Sequence, residues 1–294
     1  MSDTALPISR SARPSAWRKV GEVLLSSPLV MLAALLLATI VLASIFAPWI
    51  VPHDPGRLAP ALRLRGPDGT HWLGTDAFGR DLLSRIIMGG QISLAVGVGA
   101  AIVAVATGLV LGLLAGYIRW LDSVLMRFVD GLMAIPNILL AIAIVALWGA
   151  GLMTVLIAIT IPEIPRVVRL VRSVVLSARE EPYVEAAIAQ GSSTWLIMRR
   201  HLLPNTVAPL IVQGTYICAS AILVEAILSF LGAGINPETP SWGNIMAEGR
   251  MFFHRNFSII LFPGLFLAAT VFAINALGDG LRDRLDPRMA RRLR

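Results

Sequence analysis

The chain has 294 residues, of which 56% are hydrophobic and only 15% charged. A soluble domain carries about 25% charged residues, so a fold wetted on all sides is excluded, and the apolar residues gather in runs of roughly 20, the length that crosses a bilayer core of roughly 30 Å. The net charge of +7 sits mainly on arginines in polar connecting segments, which points to membrane topology and not to nucleic acid, and the lone Cys218 excludes an intrachain disulfide.

Residues 1–27 are polar and basic, with Arg10, Arg13, Arg18 and Lys19. The run 29–51, LVMLAALLLATIVLASIFAPWIV, is about 34 Å long as a helix and is read as a retained first span. Within the loop 52–91, Asp81 is placed to cap a short interfacial helix over 75–90, whose Leu82, Leu83, Ile86 and Ile87 share a face. Runs at 92–118, 128–149, 152–172, 206–231 and 258–278 bring the expectation to six spans. Gly108, Gly112 and Gly116 line one face of the second and predict close approach by another helix, in this chain or in a partner. Pro136 predicts a kink in the third. In the fourth, Pro162, Glu163, Pro165, Arg166 and Arg169 interrupt the apolar pattern, with Glu163 spaced to pair with Arg166 or Arg169.

Glu225 lies in the fifth span. An ionisable group at membrane depth faces a cavity or a partner, so Glu225 is a candidate pathway or inter-subunit residue; a position near the membrane edge, reached by water, is the competing reading. Gln213 and Asn275 are weaker candidates of the same kind, for which an interhelical hydrogen bond is favoured. Trp242, in PSWGN, is read as an interface anchor ahead of a role in docking a binding protein. His53, His71, His201 and His254 are scattered along the chain, and no histidine metal site is expected.

Orientation follows from the basic residues. With the N-terminus inside, Arg10, Arg13, Arg18, Lys19, Arg119, Arg127, Arg166, Arg169, Arg172, Arg179, Arg199, Arg200, Arg282, Arg284, Arg288, Arg291, Arg292 and Arg294 are inside, eighteen of the 25 Lys and Arg. Both termini and the segment 180–205 are then cytoplasmic. That segment is polar by the standards of this chain and reads as a helical hairpin. Glu180, Glu181 and Pro182 suit a helix start. Tyr183, Val184, Ala187 and Ile188 fall on one face. Gly191 is placed to end the helix in the left-handed conformation, and Ser192, Ser193 or Thr194 to cap a second helix that stops at Pro204. Neither helix is long enough to be stable alone, so the hairpin needs a partner surface.

Glu185-Ala186-Ala187, Gly191, His201 and Leu203-Pro204 resemble the EAA loop of permease subunits of bacterial ABC importers. HWLGTDAFGRDLLSRIIMGGQISL (71–94), SFLGAGINPETPSWGNIM (229–246) and LGDGLRDRLDPR (277–288) resemble the C-type subunit of the dipeptide, oligopeptide and nickel branch, with Gln91 in place of the usual arginine. The resemblance covers roughly 71–288 and implies an all-α polytopic membrane protein with six transmembrane helices in the type I importer permease fold. The apolar runs and the basic residues, with the resemblance, divide the chain into a cytoplasmic segment (1–27), a first helix with external loop and interfacial helix (28–91), a five-helix core holding the coupling loop 180–205 (92–281), and a basic tail (282–294). The resemblance implies a second homologous permease as heterodimer partner, two ABC ATPase subunits docked on the hairpin, an extracytoplasmic solute-binding protein, and peptide cargo, with nickel or another small solute as alternative. The chain has no G-x-x-x-x-G-K-[ST] loop, so ATP is expected on the partners; no cofactor and no catalysis are expected here. An intramembrane enzyme needs a nucleophile and base at membrane depth, but Glu225 is alone in its span and no span holds a histidine. A stand-alone channel or secondary transporter has no use for a docking hairpin.

Overall fold

The computed structural model describes residues 27–285. The basic N-terminal segment and Arg288, Arg291, Arg292 and Arg294 of the tail lie outside the described residues. Helix α1 (Pro28–Ile45) starts where Ser27 Oγ accepts the amide of Leu29 at 3.3 Å, with Pro28 in the first turn. Its Val30, Ala33 and Ile40 are buried, whereas Leu29, Leu32 and Leu35 are exposed, the pattern of a helix with lipid on one side.

Helix α2 (Leu82–Tyr117) is capped by Asp81, whose Oδ2 accepts the Ser84 amide at 2.8 Å. It is continuous over 36 residues. The expected separation into an interfacial helix over 75–90 and a span from 92 is therefore corrected. Two glycines in the middle of a helix weaken it by about 1 kcal/mol each, but Gly89 and Gly90 lie against Ser241, Trp242 and Ser44, and packing outweighs propensity.

Helices α3 (Arg119–Met133) and α4 (Asn137–Trp148) are bent by 89° at the Pro136 break, sharper than the expected kink. Helix α5 (Leu152–Arg179) runs through Pro162 and Pro165. After α6 (Pro182–Ala189) come a short turn Thr194–Ile197, a π-helical turn Met198–Leu202 and α7 (Leu203–Phe230). Then follow α8 (Trp242–Gly249) and α9 (Ser258–Leu285). No strand is present among the described residues.

All six expected spans fall on helices. Four of the helices are individually long and apolar enough to cross a bilayer, and the bent α3–α4 pair passes as a fifth. The sixth, α5, is 28 residues long but carries Arg166, Arg169, Arg172 and Arg179 in its second half.

Helices α2 and α5 run parallel and close together. A Cβ built on Gly108, Gly112 or Gly116 would lie 2.5, 2.6 or 2.7 Å from the Cβ of Val167, Val171 or Val175. The glycine stripe faces α5 of the same chain. Helix α7 runs antiparallel to α2, with Ser93 beside Glu225 and Gly97 beside Ile222. Gly280 of α9 meets Val30 of α1, so the start of α1, the end of α9 and the hairpin point to one end of the bundle. The segment 52–81 and α8 form the other.

Candidate functional site

The hairpin's first arm closes by two backbone bonds donated back into the helix. Gly191, at φ +76°, donates its amide to Ile188 O at 2.9 Å, and Ser192 donates to Ala187 O at 3.1 Å. Only a residue tolerant of the left-handed region ends a helix this way without strain. Ser193 Oγ then accepts the Leu196 amide at 3.4 Å. The second arm does not stop at Pro204. It passes through the π-helical turn into α7, where Pro204 sits in the first turn and its missing N–H is tolerated. Asn205 ties the arms together: its Nδ2 donates to His201 O at 2.7 Å and to Tyr183 Oη at 3.0 Å.

The face expected to hold Tyr183, Val184, Ala187 and Ile188 together is divided. Val184 and Ala187 are buried with Ile197, Met198 and Leu202, in one core with Val167, Val171 and Val175 of α5 and Leu210 of α7. Tyr183, Ile188, Trp195 and Leu196 are exposed, as are Glu185, Ala186, Gly191 and Pro204; His201 and Leu203 are half-buried. An eight-residue helix offers one narrow stripe to a core, so Tyr183 and Ile188 flank the buried pair.

Beside the hairpin, α5 is bound to α3. Arg172 meets Asp122 with two parallel bonds of 2.5 and 2.7 Å, and Arg169 meets Asp130 at 2.6 Å. Arg166 pairs with Glu163 at 3.0 Å, one of the two spacings expected, and Ser220 of α7 donates to the same carboxylate at 3.4 Å. Arg166, Arg169 and Arg172, all on α5, are thus each paired with a carboxylate.

At the opposite end, Glu225 is fully buried. Its carboxylate accepts hydroxyls of Ser93 (3.2 Å), Ser229 (2.9 Å) and Ser241 (2.8 Å), which joins α2, α7 and the start of α8. Gln213 and Asn275 are half-buried on the neighbouring helices α7 and α9. Trp242 is no interface anchor. It is fully buried, and its indole N–H donates to Ile86 O at 3.0 Å. An internal carbonyl within reach of the ring makes a core position affordable for this amphipathic side chain.

A cluster of two cations and two anions, in which Asp76 and Arg85 are buried and Arg80 and Glu248 partly so, is not evident from the sequence. Arg80 Nε meets Asp76 Oδ2 at 2.6 Å, and its Nη2 meets Glu248 at 2.5 Å. Arg85 also bonds Asp76, and reaches Glu248 at 2.6 and 3.1 Å. The spacing of Asp76, Arg80 and Arg85 near a helix start was visible; Glu248, on α8, was not. Asp68 Oδ1 accepts the His71 amide at 2.6 Å and the Thr70 amide and hydroxyl at 2.8 and 2.7 Å. The His71 amide is the largest of these influences, and together they lower the carboxyl's pKa to about 2. The histidines are not all scattered: His53 and His71 both approach Asp81.

Residues 108–291 match the family described as binding-protein-dependent transport system inner membrane component, and residues 15–67 match the N-terminal TM domain of oligopeptide transport permease C. A probable peptide ABC transporter permease of Sinorhizobium fredii is 49% identical, over 90% of this chain and 91% of its own length. A dipeptide transport system permease of Alkalihalophilus pseudofirmus is 44% identical over 94% and 91%. A glutathione transport system permease of Pectobacterium atrosepticum is 40% identical over 97% and 95%. Among solved structures, an inward-facing methionine ABC transporter, MetNI, aligns with a TM-score of 0.57 at 21% identity, over 70% of this chain and 98% of that one, a likeness of fold. Matched by this family over more than half of its length, and by permease relatives over most of it, the chain belongs to the family of inner membrane components of binding-protein-dependent transport systems, the permeases of ABC importers.

Proposed function

We propose that the chain is one of two homologous permease halves of a peptide importer, and that the hairpin 180–205 is where ATPase movement enters it. The observation that carries this is the division of the hairpin. Val184, Ala187, Ile197 and Leu202 belong to the core of α2, α5 and α7, while Tyr183, Ile188, Trp195 and Leu196 are turned outward. A push on the outer residues is delivered to α5 and α7, the two helices the hairpin joins, through a close-packed interior that transmits displacement. Glu185, Ala186 and Gly191 lie on the outer side, where small residues let a partner come close. The arginine distribution supports a cytoplasmic hairpin and cytoplasmic termini, with 52–81 and α8 facing a solute-binding protein. The relatives, permeases of peptide, dipeptide and glutathione systems, support peptide over nickel.

The test is reconstitution in nanodiscs with the neighbouring permease, ATPases and binding protein, comparing wild type with Ala186→Arg. Ala186 is exposed, so the variant keeps its unfolding temperature. Peptide-loaded binding protein stimulates ATP hydrolysis by the wild type, and the added side chain lowers that stimulation at least about tenfold, roughly 1.4 kcal/mol of coupling. Unchanged stimulation in Ala186→Arg removes the docking role from this face. Stimulation by nickel without peptide removes the peptide assignment.

A further inference from the structure

We infer that His53, His71 and Asp81 form a binding site for one divalent transition-metal ion of the zinc class, which fastens the chain leaving α1 to the segment leading into α2. His71 Nδ1 lies 2.9 Å and His53 Nδ1 3.8 Å from the same oxygen, Asp81 Oδ1. All three donor atoms lie within 4.8 Å of one another. Two donors each about 2.1 Å from one ion are about 3.0 Å apart at a right angle and about 3.8 Å apart at a wide one, so both distances to Asp81 fit a shared ion. An ion there replaces the hydrogen bond between His71 Nδ1 and Asp81 Oδ1, and a turn of the His53 ring toward it is opposed by no hydrogen bond at Nδ1.

The second, independent observation is the state of that ring. His53 Nδ1 is the one buried side-chain nitrogen or oxygen without a hydrogen-bond partner among the described residues. A buried polar atom left unpaired is destabilising, and a metal ion supplies the missing contact. The site is also held in place from behind. The His53 amide donates to Ser84 Oγ at 3.2 Å, and that hydroxyl donates to Asp81 Oδ2 at 2.7 Å, leaving Oδ1 turned to the histidines. Asp68 fixes the backbone of His71 from the other side. Asp81 is almost wholly buried and His71 nearly so, while the His53 side chain is 38% exposed. An ion therefore has a route in, and a water molecule a place to complete its shell. Two imidazoles with one carboxylate favour zinc, nickel, cobalt or copper over calcium or magnesium, which prefer oxygen ligands.

The test uses the full chain in nanodiscs, without a histidine tag, stripped with chelator and titrated with Co2+ and then Zn2+. The wild type takes up one equivalent of Co2+ with a visible d–d band, Zn2+ displaces it, and Zn2+ raises the unfolding temperature. His53→Ala, which removes no hydrogen bond made by its own ring, keeps the metal-free unfolding temperature and binds at least about tenfold more weakly. His254→Ala binds as wild type. Absence of saturable Co2+ or Zn2+ binding overturns the site, and so does binding that His53→Ala leaves unchanged. These readouts do not involve transport, so they stand or fall apart from the importer reading.

Discussion

The two ends of the bundle treat their side chains differently. At the end formed by 52–81 and α8, Asp76, Arg80, Arg85 and Glu248 pair with one another largely shielded from water, Trp242 is bonded to Ile86, and Glu225 is ringed by three serines. At the hairpin end, Tyr183, Ile188, Trp195 and Leu196 are exposed in the chain alone, on a helix pair too short to hold itself together. The first end pairs its buried charges within one subunit. The second is a surface with half its contacts made. Substitutions within these paired clusters should therefore cost folding stability, and those on the outer side of the hairpin should cost assembly.

The largest effect on stability is expected from Arg85→Met. It leaves Asp76 and Glu248 with a single cation in a buried setting, and breaking a buried ion pair costs about 3–5 kcal/mol. Thermal unfolding in nanodiscs measures it; a loss below about 1 kcal/mol would mean that water reaches the cluster and that this end is not the rigid one.

Next is Gly112→Ala, whose new methyl would stand 2.6 Å from Val171 Cβ. Overpacking of this kind costs about 1–3 kcal/mol. Val171→Gly in the same chain removes that Cβ and should relieve part of the strain, and a double-mutant cycle showing no such coupling would place the strain elsewhere. Gly191→Ala should cost about 1 kcal/mol, since it puts a Cβ in the left-handed region but meets no neighbour. Faster proteolysis at 189–194, with the rest of the chain intact, is the sign to look for.

Trp195→Ala should change stability by no more than about 0.5 kcal/mol, as an exposed substitution, yet cut co-purification of the ATPase subunits sharply. Equal loss of both would make the two ends alike and end the contrast. The smallest effect belongs to Asp68. Its carboxyl sits near 2 in the folded chain against 3.8 ordinarily, so its contribution is present above pH 3.8, shrinks as the pH falls toward 2, and is lost below that. Amide exchange at Thr70 and His71 should speed up over that window and not above it.

Much of the fold was legible because it is local. Apolar runs of spanning length located six helices, Asp81 marked the start of α2, and Gly191 with Ser193 marked the turn of the hairpin. Each is a matter of a few neighbouring residues, set by helix periodicity and by the unpaired amides and carbonyls at helix ends. The division between an interfacial helix and a second span failed because Gly89 and Gly90, poor helix formers, are held within one helix by packing against Ser241 and Trp242.

What tertiary structure alone decided are contacts between residues far apart in the chain. Trp242 became core through an amide bonded to Ser93, 149 positions away, and Arg85 found Glu248 at a separation of 163. The histidines were scattered as a list and adjacent in space. The hairpin's helical face was readable, but the part of it turned inward depended on where α5 and α7 lay. Composition and spacing set which elements form, because those energies act within a turn or two of helix. Which side chains lie inside was settled only when the helices packed, because burial and ion pairing depend on neighbours that the order of residues does not bring together.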